Sequence, residues 1–188
     1  MTQQGQGKND RFDQAYKDSF GFLRTALTGV TQWTDRQVRN TGVVMPHIAK
    51  QDVFSYNVQF NHDKKLQSAI ADFHLHIIPI GTVTAGELIA LDFTWGFYSF
   101  GAVVDDVLPN STGSPAVFTL STGDQYKHKL FSITTNLAVG TESYSGFLLI
   151  KFQRRNDAQD TYAGEFALMG ADAHYQSDRI GSYNVTSD

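Results

Sequence analysis

A chain of 188 residues with 41% apolar and 13% aromatic side chains has material for one sizeable domain and an extension. Its formal charge of −4, with no cationic cluster beyond Arg154-Arg155, argues against a general nucleic-acid binder, because phosphate contacts demand concentrated Lys and Arg. Zero cysteines exclude disulfides, thiolate metal sites and a cysteine nucleophile, so stability has to come from the core or from oligomerisation.

In chain order, the polar residues 1–9 are expected as a tip, and they lack the apolar stretch of a secretory signal. No run of about 18 apolar residues follows, so no membrane span is expected. From Arg11 to Leu27 the apolar residues Phe12, Tyr16, Phe20, Leu23 and Leu27 are spaced by four, four, three and four. That spacing predicts an amphipathic helix over about 11–28, with Asp10 as N-cap and Gly29 as stop. Gly21 inside it costs about 1 kcal/mol relative to alanine. Such a segment either packs on its own domain or serves as an arm whose apolar stripe lies on a partner. Residues 30–50 carry turn signals at Thr41-Gly42 and Met45-Pro46 and read mostly as loop. The expected division is an N-terminal attachment arm over 1–50 and a β domain over 51–188.

The period then changes. Phe54, Tyr56, Val58 and Phe60 alternate with Ser55, Asn57 and Gln59, a half-buried strand. Asp72–Gly81 reads as a second strand, with His74 and His76 on one face and Phe73, Leu75 and Ile77 on the other. In Glu87–Tyr98, Ile89, Leu91, Phe93, Trp95 and Phe97 share a face, the strongest β pattern in the chain. Residues 99–115, with Gly101, Pro109, Gly113 and Pro115, read as a long surface excursion. Ala116–Leu120, Lys127–Thr134, Ser145–Arg154 and Thr161–Tyr175 are further strands. About eight strands separated by polar turns predict an all-β, jelly-roll-like antiparallel β-sandwich, preceded by the short helical arm.

Three constellations could carry chemistry. The His74-Leu75-His76 pair is the start of a cupin-type metal motif, with His174 on a late strand as a third ligand. The glutamate that such a motif places four or five residues further on is missing, since Ile80 and Gly81 stand there and the next acid is Glu87. The other readings of these histidines are a structural ion, shared between subunits on a symmetry axis, and a hydrogen-bonded polar layer in a sheet or between subunits. The acids Asp72, Asp92, Asp105, Asp106, Asp172 and Asp178 offer no pair that the sequence sets across a cleft, as a glycosidase requires. No Gly-x-Ser-x-Gly elbow and no glycine-rich phosphate loop is present. In the tail, the alternation through Phe166 and Leu168 is expected to continue to Asp172 and His174.

Several short motifs occur in a telling order. They are the His-x-His pair of Asp72–Pro79, Trp95 in its aromatic strand, Tyr126-Lys127-His128, and the Leu148–Arg155 strand. The block Asp160-Thr-Tyr-Ala-Gly164 through His174-Tyr175 to Asp178-Arg-Ile-Gly-Ser182 completes them. Over residues 70–182 this order resembles a family of small tailed-phage and prophage virion proteins. The chain departs from that pattern at Ala173, where phenylalanine is frequent, and at Arg179, where threonine is usual. The resemblance implies a non-enzymatic virion component, a homotrimer serving as head decoration, neck or collar appendage, or fibre part. Its implied partners are other virion proteins (capsid, portal or tail), with no cofactor, no nucleic acid and no membrane. The interface residues expected from this reading are Phe12, Tyr16, Phe20, Leu23 and Leu27 of the arm and a layer of His74, His76 and His174. Two rivals remain: an adhesin domain that stacks a host-surface glycan on Phe97, Tyr98 and Phe100, and a cupin-like metal protein.

Overall fold

The structure, a computed structural model, describes residues 15–25, 33–60, 70–99, 101–111, 113–138 and 146–177. It is all-β. Eleven strands are present among the described residues: β1 (Ala15–Thr25), β2 (Thr34–Gln37), β3 (Val44–Ile48), β4 (Val53–Phe60), β5 (Ile70–Ile80) and β6 (Leu88–Ser99), then β7 (Asn110–Ser111), β8 (Ala116–Thr119), β9 (Lys129–Ala138), β10 (Gly146–Arg154) and β11 (Glu165–Ser177). All pairings are antiparallel.

The strands divide into two sheets. Sheet A runs β2-β3-β11-β5-β9, and sheet B runs β4-β10-β6 with β7 and β8 both on the far side of β6. Leaving aside β1, β2 and β7, the spatial order is β3-β11-β5-β9 opposite β4-β10-β6-β8. Apart from the step from β6 to β8 within sheet B, chain order alternates between the sheets in the manner of two nested Greek keys, which is the jelly roll. No helix occurs among the described residues, and none is long and apolar enough to cross a membrane.

The expected N-terminal helix is corrected by β1. Its first half, Ala15–Phe20, pairs with β11 in sheet A, and its second half, Gly21–Thr25, pairs with β4 in sheet B. The strand changes sheet between Phe20 and Gly21, and glycine is a residue type suited to such a crossing. A spacing of four residues is also two full periods of a strand, so Phe12, Tyr16 and Phe20 fit either period. What decides is the pairing offered by β11 and β4, which a lone sequence window does not contain. The ends of the predicted helix, residues 11–14 and 26–28, lie outside the described residues. Residues 34–48, expected mostly as loop, supply β2 and β3 to the edge of sheet A. Strands on both sides of residue 50 thus share the same two sheets.

The core lies between the sheets and is aromatic. Phe152 of β10 is its centre, with ring centroids 5.0 Å from Phe54, 5.8 Å from Phe73 and 5.8 Å from Phe93. The inward residues are those that alternation selects: Phe73, Leu75 and Ile77 on β5, Ile89, Leu91, Phe93 and Trp95 on β6, and Leu148, Ile150 and Phe152 on β10. Burying each such side chain stabilises the fold by roughly 1.5–3 kcal/mol.

Candidate functional site

The outward face of β5 and β11 carries the most chemistry. Because Phe73, Leu75 and Ile77 are fully buried, His74 and His76 must point away from the core, and both are half-buried on the outside of sheet A. On β11 the same face is reached through a β-bulge. Leu168 pairs with Ile77 and Gly170 with His76, so Met169 is an extra residue with no partner on β5. The bulge reverses the parity of the strand. Phe166 and Leu168 point inward before it, Ala171 and Ala173 point inward after it, and Asp172 and His174 therefore emerge beside the β5 histidines. The expected single alternation from Phe166 to His174 is thus broken at Met169. Its signal in the sequence is the shared parity of two large apolar residues with an acid and a histidine, with a glycine between them.

The Asp172 carboxylate is the hub. One oxygen lies 3.3 Å from Nε2 of His76 and 3.7 Å from Nδ1 of His74, and the other lies 2.9 Å from Nε2 of His174. A fourth imidazole joins from the turn before β9: Nε2 of His128 is 2.8 Å from Nδ1 of His76, and the two rings stack at 5.0 Å. The rings of His74 and His174 meet edge-on at 4.8 Å. The turn that presents His128 is held by Asp124, which accepts the Ser121 amide at 2.9 Å and the Lys129 ammonium at 3.0 Å. These bonds hold its carboxyl below the usual range, the Ser121 amide most of all. Leu130 and Met169, each about half exposed, lie beside the cluster. Further along the sheet, His47 is buried with Nδ1 3.3 Å from Glu165, which also accepts Arg36 at 3.0 Å.

The other expected residues go elsewhere. Glu87, the nearest acid after the His-x-His pair, accepts the Thr84 amide at 2.6 Å in its own turn, away from the histidines. Asp92 pairs with Arg155 at 2.8 Å, and Asp105 accepts the Tyr98 hydroxyl at 3.1 Å. Tyr98 is consequently buried, and Phe97 is partly buried against the core, so neither is an open stacking platform. Tyr16, Phe20 and Leu23 lie in β1, whereas Phe12, Leu27, Phe100 and Asp178 fall outside the described residues.

A second constellation, which the sequence shows only as the end of a strand, is buried. Arg154 at the end of β10 is 1% exposed and faces Asp160, also 1% exposed. Its five N–H donors are all used. Nε donates to Asp160 Oδ2 at 2.9 Å and Nη2 to Oδ1 at 3.0 Å. The remaining donors reach the carbonyls of Tyr162 at 2.6 Å, Gly164 at 2.7 Å and Ile48 at 3.1 Å. Asp160 also accepts the Ala90 amide at 3.1 Å, which ties the network to β6. Tyr162 is fully buried, and its hydroxyl donates to the carbonyl of Ile80, with burial pushing its pKa up to about 12. At Gly164 a Cβ would collide with that same carbonyl and with the Tyr162 ring. The segment Asp160-Thr-Tyr-Ala-Gly164 is thereby explained as a clasp around Arg154 that joins β3, β5, β6 and β10 to the start of β11.

Fold and site together define a jelly-roll sandwich with a histidine–aspartate cluster on one outer face. No family model matches the chain, and no curated protein matches it. Solved structures similar to it include TmCBM61 in complex with β-1,4-galactotriose, at 14% identity, covering 86% of each chain with a TM-score of 0.25. A carbohydrate-binding module specific for non-crystalline cellulose, CBM28, is 10% identical over 85% of this chain and 88% of that one, with a TM-score of 0.33. The enzymatically active domain of bacteriophage CBA120 tailspike protein 4 is 7% identical, with a TM-score of 0.28. The match to the tailspike covers 83% of this chain but only 18% of that one. At such values the likenesses carry no argument about what this chain binds.

Proposed function

We propose that the chain is a non-enzymatic structural component of a tailed-phage virion, a homotrimeric decoration, neck, collar or fibre part. The observation that carries this reading is where the motif residues fall. Arg154, Asp160, Tyr162 and Gly164 are spent on the buried clasp, so that block of the motif is framework, while its histidines His74, His76, His128 and His174 gather on the outer face of sheet A. The outer face of sheet A, with its imidazoles flanked by exposed Leu130 and Met169, is the surface we assign to contacts between copies. Apolar side chains of this kind beside half-buried polar groups suit an interface core. Attachment to capsid, portal or tail is assigned to the N-terminal arm. Because β1 pairs with both β11 and β4, a truncation that tests attachment has to stop at residue 14.

Light scattering of the full chain at micromolar concentration is expected to give three times the 20.9 kDa chain mass. Replacing Leu130 and Met169 together by glutamate is expected to shift the mass to that of one chain, since charge desolvated in an interface core is costly. A monomer for the unaltered protein would refute the assembly reading.

One observation favours a second reading, recognition of a host-surface glycan. The outer face of sheet B holds a depression of about 240 Å³ lined by Asp92, Thr94, Ser111, Lys151 and Gln153, polar groups of the sort that orient a sugar. A neighbouring apolar one of about 360 Å³ is lined by Tyr98, Val104, Phe147 and Leu149, and Phe147 is 42% exposed. A glycan array is expected to show binding that Phe147→Ala abolishes if this face serves recognition. No binding to any glycan removes the reading.

A further inference from the structure

We infer that His74, Asp172 and His174 form a binding site for a divalent transition ion of the zinc type, complete within one chain. The three side chains offer ligand atoms that all lie within 4.8 Å of one another. At the carboxylate the separations are 3.7 Å to His74 and 2.9 Å to His174. Ligands held about 2.0–2.1 Å from a tetrahedral ion stand about 3.3 Å apart, so small side-chain rotations close the set. The two histidines, 20% and 33% exposed, make these rotations about the buried Asp172 carboxylate.

The remaining histidines supply what a ligand carboxylate needs behind it. With one choice of tautomers, Nε2–H of His128 donates to Nδ1 of His76, and Nε2–H of His76 donates to Asp172. Such a relay fixes the carboxylate and tunes its affinity. Two imidazoles and one carboxylate select Zn²⁺, Co²⁺ or Ni²⁺, whereas Ca²⁺ and Mg²⁺ prefer oxygen ligands in larger number. A water completes the coordination. The ligand set belongs to a single copy, so this site stands or falls separately from the assembly reading: a monomer that binds one ion sinks only the latter.

The test titrates the full 188-residue chain, without a histidine tag and stripped of metal, with CoCl₂ and then ZnCl₂. The expected result is one Co²⁺ per chain with visible d–d absorption, displaced by equimolar Zn²⁺ but not by millimolar Mg²⁺. Asp172→Asn and His174→Ala are each expected to weaken Co²⁺ binding by about 100-fold or more while circular dichroism stays that of the folded chain. Val117→Ala, 47% exposed on β8 of the other sheet, is expected to leave binding unchanged. If Asp172→Asn does not fold, His174→Ala at its more exposed position carries the comparison. Absence of binding overturns the site, as does equal affinity in the variants. One ion per three chains also overturns it, because the ligands would then come from several copies.

Discussion

Arg154→Lys is expected to destabilise the protein more than any other conservative substitution of a charged residue in the described chain. Lysine keeps the charge but offers three donors in place of five, and it lacks the planar fork that grips Asp160. At least two of the five acceptor contacts, on Asp160 and on the carbonyls of Ile48, Tyr162 and Gly164, then lose their donor in a largely buried region. Asp160→Asn has the converse fault, leaving a buried guanidinium without its counter-charge. Breaking a buried pair by changing one partner costs about 3–5 kcal/mol. Set against a total stability of about 5–15 kcal/mol, that is a large share. Thermal melts followed by circular dichroism are expected to show Tm lowered by roughly 10 °C for either variant. Arg155→Ala, whose partners Asp92 and Asp157 are both at the surface, is expected to leave Tm where it was. Equal melting of the Arg154 and Arg155 variants would show that the clasp is not what holds the five strands together.

Deleting Met169 is expected to prevent cooperative folding, although substituting it is nearly neutral. The side chain is 47% exposed in the single chain, so Met169→Ser changes the folding stability of that chain, apart from any contact between copies, by no more than about 0.5 kcal/mol. Removal of the residue instead erases the bulge and reverses the parity of everything after it. Asp172 and His174 would turn towards Phe73 and Phe131, and Ala171 and Ala173 would turn out to solvent. An uncompensated carboxylate in such a core costs several kcal/mol even after it takes up a proton. To avoid this, the strand would have to form its bulge elsewhere and unseat Phe166 or Leu168, both buried. Heat denaturation of the deletion variant is expected to show no sharp transition. A melt close to that of the unaltered protein would mean that the strand tolerates either parity.

Both predictions rest on features that were only half visible in the residue order. The β-sandwich was legible because alternation is a local property: Ile89, Leu91, Phe93 and Trp95 announce their shared face without reference to any other strand. The placement of His74 and His76 opposite Phe73, Leu75 and Ile77 was legible for the same reason. The first strand was not, because a spacing of four satisfies both helical and extended periods and only the partners β11 and β4 separate them. Nor were the roles of Arg154 and of Asp172. Each depends on carbonyls, imidazoles or a bulge contributed by segments up to about a hundred residues away.

The sequence by itself determined the class of fold, the inward set of aromatic and aliphatic residues, and the freedom from cysteine chemistry. These follow from composition and from periodicities read within a single segment. Tertiary structure alone decided that the N-terminal segment is a strand bridging two sheets. It also decided that one extra residue at position 169 turns Asp172 and His174 outward to join three other histidines. The physical reason is the same in both cases: hydrogen-bond register between distant strands is fixed by pairing partners, and a shift of one residue exchanges the inside of a sheet for its outside.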